Sequence, residues 1–100
     1  MSVFMVMRVK GDPGQLEEYA RDDGGKMRAI AEESRAAGAM RHAFAGAPGE
    51  ILVIDEWPDA ESFQGFFDSQ TEIPQMMVDA GAQGPPVVSI YRKLDTPDAF

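Results

Sequence analysis

The chain has no cysteine and no asparagine, one histidine, one tryptophan, and few bases. The missing cysteines exclude disulfides, thiolate metal sites and a cysteine nucleophile. Nine Lys and Arg residues stand against seventeen Asp and Glu, a net charge of -8. That balance argues against nucleic acid or an anionic membrane as partner, because binding phosphates needs a basic patch. No apolar run approaches the ~20 residues of a membrane-spanning helix. Val3–Met7 is too short for the apolar region of a secretion signal and reads as a strand. The expected location is cytoplasmic. One histidine among scattered acids makes no metal site. Gly24-Gly25 follows no strand and lacks the spacing and lysine of a phosphate loop.

What is present suits one domain spanning 1–100. An apolar fraction of 44% is ordinary for a globular chain. Ser2–Lys10 reads as a strand. Asp12 and Pro13 open a helix over Gln15–Ala37, with Leu16, Tyr19, Ala20, Met27, Ile30, Ala31 and Ser34 on one face. Glu17, Glu18, Arg21, Arg28, Glu32 and Arg35 fall on the other. Asp22-Asp23-Gly24-Gly25 predicts a kink or a broken turn in its middle. Met40–Ala47 and Ile51–Trp57 form a hairpin around the Pro48-Gly49 turn. A second helix starts near Asp59 and carries Phe63, Phe66 and Phe67. It restarts at Pro74 with Met76 and Met77. Val87–Arg92 is the last strand, and 93–100 is an extended arm. The fold class is α+β, a ferredoxin-like β-α-β-β-α-β order with a four-stranded antiparallel sheet and helices on one face.

Side chains alternate across a strand. In the first strand Val3, Met5, Met7 and Val9 share one face, and Phe4 and Val6 the other. In the third, Ile51–Ile54 is apolar at every position. A sheet with one wet face should alternate apolar with polar. Both faces therefore need cover, and the chain has helices for only one. The expectation is a homodimer through the sheet faces.

The phrase "VIDEWPDAESFQGFF" resembles the dimeric α+β barrel superfamily, and within it the antibiotic-biosynthesis-monooxygenase-like group. Asp55, Glu56, Trp57, Asp59, Glu61, Phe63 and Phe66 carry the resemblance. It implies a pocket in each subunit between sheet and helices. For some members it implies oxidation of phenols by O₂ without metal or flavin, so no cofactor is expected. Haem degradation is disfavoured. That branch uses a histidine in the second helical region, where Pro74–Gln83 has none, and an asparagine in the first strand.

Two residues are candidates for chemistry. Trp57 matches the group's tryptophan and could stack on a flat ring. His42 could remove a proton from the substrate, since imidazole titrates near neutral pH. Phe4, Tyr19, Phe63, Phe66, Phe67, Met76, Met77 and Tyr91 are candidate contacts for a small apolar or aromatic molecule. Asp55 and Glu56, on opposite faces, cannot act as a carboxylate dyad. Pairing with Arg8 or Arg92 is the expectation for them. The leading function is a cofactor-independent monooxygenase acting on a small aromatic or polyketide-like molecule. The competing readings are a non-catalytic ligand-binding or scaffold dimer, and an isomerase or decarboxylase.

Overall fold

The computed structural model describes residues Met1–Phe100. The order is β1 (Val3–Lys10), α1 (Pro13–Ala36), β2 (Arg41–Ala47), β3 (Glu50–Trp57), α2 (Ala60–Ser69), α3 (Ile73–Asp79) and β4 (Val87–Arg92). The strands form one sheet in the order β2-β3-β1-β4, with every pair antiparallel. This is the ferredoxin-like arrangement, with the second helical region divided in two.

Local chemistry sets these boundaries. Pro13 sits in the first turn of α1, and Asp12 caps it by accepting from the Gly14 N–H at 3.0 Å. Asp23 leaves helical geometry at φ -141 and ψ 44. The helix is therefore interrupted where a kink or broken turn is expected, beside two glycines that favour helix poorly. Asp59 caps α2 by accepting from the Ser62 N–H at 2.7 Å. That bond holds the Asp59 carboxyl below the usual range. The β2–β3 turn has Gly49 at φ 77, a conformation that glycine adopts without strain.

The odd-numbered residues of β1 and β3 face the helices, where Met5, Met7, Val9, Ile51, Val53 and Trp57 are buried. Two clusters result. Met5, Met7, Val53 and Trp57 pack with Phe63 of α2. Val9 and Ile51 pack with Leu16 of α1, Met77 of α3 and Ala80. Only 15 of 100 residues are buried, a small core for a domain of this length. On the outer face Phe4, Val6 and Leu52 are half-buried, while Ile54, Val87 and Tyr91 are exposed. After Arg92 the chain has no strand or helix, and Leu94 and Phe100 are exposed. No helix is long and apolar enough to cross a membrane.

Candidate functional site

Between the two clusters lies a cavity of about 270 Å³. Its floor is Met5, Met7, His42, Phe44, Val53 and Asp55 of the sheet. Its roof comes from the part of α1 beyond the break, with Met27, Arg28, Ile30, Ala31 and Ser34. Phe63, Phe66 and Phe67 of α2 and Ile73, Met76 and Met77 of α3 close the walls. Helical spacing explains the α2 contribution, because residues three and four apart share a face. Thirteen of the seventeen lining residues are hydrophobic, so each polar group among them is informative.

Those polar residues are Arg28, Ser34, His42 and Asp55. Asp55 is buried and in direct register with His42 across the hairpin. Its Oδ1 lies 2.7 Å from His42 Nδ1, and its Oδ2 accepts from Trp57 Nε1–H at 3.2 Å. A carboxylate only accepts, so Nδ1 carries a proton, and in the neutral imidazole Nε2 then has a bare lone pair. No protein group hydrogen-bonds that Nε2. The Phe44 ring meets the imidazole edge-on at 5.4 Å and braces it. The His42 side chain is 36% exposed, so a small molecule can reach it. The Ser34 hydroxyl is spent on the Ala31 carbonyl at 2.7 Å.

Trp57 is fully buried and does not line the cavity. It stands behind Asp55, packed on Phe63 at 5.8 Å and Phe66 at 5.5 Å. Its indole therefore holds the carboxylate rather than offering a face to a ligand. Phe63, Phe66, Phe67, Met76 and Met77 line the cavity with His42. Phe4 and Tyr91 do not. They are opposite one another on β1 and β4, on the sheet's outer face. Tyr19 packs against the second cluster, outside the cavity, with its hydroxyl buried and unpartnered.

The acids at the end of β3 pair differently from expectation. Arg8 lies opposite Leu52, several rungs away, and β4 with Arg92 borders β1 rather than β3. Asp55 meets His42 instead. Glu56, on the outer face, bonds Arg41 at 3.1 Å and Lys93 at 3.4 Å, and accepts from Ser2 Oγ at 2.6 Å. The Ser2 hydroxyl first, then Lys93 and Arg41, hold the Glu56 carboxyl below its ordinary range against the opposing effect of burial. No group of three or more acids or histidines is placed to hold a metal ion.

No protein-family model matches the sequence, and no curated protein matches it. Solved structures do match by fold. A conserved protein from Methanosarcina mazei superposes with TM-score 0.69 at 18% identity, covering 94% of each chain. A monooxygenase from Streptomyces coelicolor in complex with nanaomycin D gives 0.68 at 15%, covering 97% of this chain and 93% of that one. SnoaB, a cofactor-independent oxygenase from Streptomyces nogalater, gives 0.58 at 15%, covering 98% of each. The chain thus has the fold seen in antibiotic-biosynthesis-monooxygenase structures, and the likeness is one of fold.

Proposed function

We propose that this protein binds a small phenolic ring compound in the cavity and oxidises it with O₂, without a cofactor. One observation carries the reading: the single histidine, oriented by a buried aspartate, presents an unpartnered Nε2 at an otherwise apolar cavity. The fold's presence in a cofactor-independent oxygenase supports it.

The steps follow from that placement. His42 Nε2 accepts the phenolic proton, and the imidazolium that forms is stabilised by the Asp55 carboxylate. The phenolate is electron-rich at its para carbon. It passes one electron to O₂, and the radical pair combines to form a C–O bond. The peroxide anion takes the proton back from the His42 imidazolium, and the hydroperoxide so formed loses water to leave a carbonyl, so phenol plus O₂ gives quinone plus water. The apolar wall of Phe63, Phe67, Met76 and Met77 excludes bulk water and favours spreading the ring anion's charge over carbon. A volume of about 270 Å³ lies just under the ~300–1,000 Å³ usual for ligand pockets. That favours one or two fused rings over larger polyketides. Trp57 and Asp55 act as positioning residues behind the base.

The test is oxygen uptake with 1-naphthol. The expected result is one 1,4-naphthoquinone formed per O₂ consumed, with the rate falling ~10²–10⁴-fold in His42→Ala. Turnover that survives in His42→Ala would overturn the base assignment, and a tightly bound naphthol with no turnover would leave a binding protein.

The same reading includes a second copy on the outer face. Ile54, Val87 and Tyr91 are exposed there, beside Phe4, Val6 and Leu52. A sheet face of that character packs on another sheet. Sizing with light scattering at micromolar concentration tests it: the expectation is twice the chain mass of 10.9 kDa, and a monomer would refute it.

A further inference from the structure

The cavity has two polar groups that the protein itself leaves unused. One is His42 Nε2. The other is the Arg28 guanidinium, which makes no ion pair and no side-chain hydrogen bond. Arg8, Arg21 and Arg92 also make no ion pair, so what singles Arg28 out is its place at the cavity. Glu32, one turn along α1, bonds Arg35 instead. Arg28 is exposed yet lines the cavity, so it stands where the cavity opens to solvent. Its guanidinium lies beside Gly24, one turn back, with Nη1 3.4 Å from where a Cβ on that glycine would stand. Arg28 thus sits just after the break at Asp23, at the rim of the roof, with its guanidinium lying back along the helix.

An apolar cavity with a proton acceptor inside and a free guanidinium at its mouth is complementary to an amphiphilic anion. We infer that the natural ligand is a phenolic ring acid, with its hydroxyl at His42 and a carboxylate held by Arg28. A planar guanidinium can take a carboxylate through two parallel N–H···O bonds, which a lysine cannot reproduce. Arg28 would then set ligand orientation: the charged group stays at the solvent edge, and the hydroxyl is delivered to the base. This inference rests on the functional reading above.

The experiment compares two probes that differ in the carboxylate. 1-Naphthol and 5-hydroxy-1-naphthoate, whose carboxylate is on the other ring from its hydroxyl, are titrated into the wild-type protein and Arg28→Gln, by calorimetry at low and moderate salt. An exposed arginine can be changed without threatening the fold. The expected result is about tenfold tighter binding of the carboxylate by the wild type. That preference should disappear in Arg28→Gln while naphthol affinity stays the same, and it should weaken with salt. Partial recovery in Arg28→Lys would fit a charge that has lost its fork. Equal binding of both probes by the wild type would overturn the anchor and leave the phenol site standing. Loss of both affinities in Arg28→Gln would make Arg28 a structural residue and refute the inference. Failure of both probes to bind the wild type would refute the functional reading itself.

Discussion

Replacing Asp55 with asparagine should reverse the tautomer of His42. In the native arrangement the carboxylate serves two donors, His42 Nδ1–H at 2.7 Å and Trp57 Nε1–H at 3.2 Å. An asparagine amide has one accepting oxygen and one donating nitrogen. The indole N–H can only donate, so it claims the oxygen. The amide N–H₂ is then left facing His42 Nδ1, which must accept. The imidazole proton moves to Nε2, and the lone pair that the mechanism needs is gone. Two hydrogen bonds survive, but both lose their charged acceptor. Charge-assisted bonds contribute about 1.5–3 kcal/mol against about 1 for neutral ones, so the stability loss should be about 1–2 kcal/mol. The kinetic loss should be far larger, ~10²–10⁴-fold, because general-base catalysis is removed while the histidine remains. With one histidine in the chain, ¹⁵N-labelled imidazole gives a single pair of nitrogen signals and needs no assignment. The wild type should show Nδ1–H with Nε2 bare, and Asp55→Asn the opposite. A wild-type spectrum with the proton on Nε2, or an unchanged tautomer in Asp55→Asn, would refute the reasoning.

Other residues give sharper tests of stability than of chemistry. Trp57→Phe keeps most of the packing but leaves Asp55 Oδ2 buried and unpartnered, so denaturant unfolding should show a loss of about 1–3 kcal/mol. Glu56 has a folded-state carboxyl pKa below its ordinary 4.5. The unfolded chain therefore binds its proton first, and the Glu56 contribution is complete above that pH and lost as pH falls through the folded value. Glu56→Gln should be less stable near neutrality and show a shallower fall in Tm below pH about 4.5. Gly65 lies inside α2 with open space where a Cβ would go, so Gly65→Ala should stabilise by about 0.5–1 kcal/mol, read as a rise in Tm. Gly46→Ala should do the reverse, because its Cβ would come within 2.6 Å of the Pro13 ring and push β2 from α1.

Much of the scaffold was legible from periodicity and punctuation. Pro13, Asp59 and Pro74 mark helix starts, and Pro48-Gly49 marks the hairpin turn. That turn also held the site in plain view. With Ala47 opposite Glu50, counting back along the hairpin sets His42 against Asp55. Pairing Asp55 with an arginine overlooked that register. Phe4 and Tyr91 lie outside the cavity for a different reason. Alternation says which residues share a face, but when both faces are apolar it does not say which one the helices cover. The helices took the odd-numbered residues of β1, and Phe4 went to the other side. Tyr19 shares the apolar stripe of α1 with Met27 and Ile30, yet only the segment beyond Asp23 roofs the cavity. A break resets helical phase, and the sequence marks its place without its angle. Arg28 was counted among the polar face. A long side chain on the flank of the stripe can reach round to the rim, and residue spacing alone does not show that.

The most direct measurement of the proposed function is where a phenol binds. A crystal structure of the protein with 1-naphthol should place the ring among Phe63, Phe67 and Met76. Its oxygen should lie within ~2.6–3.2 Å of His42 Nε2. A naphthol seated on the outer face of the sheet, or turned in the cavity with its oxygen away from His42, would contradict it.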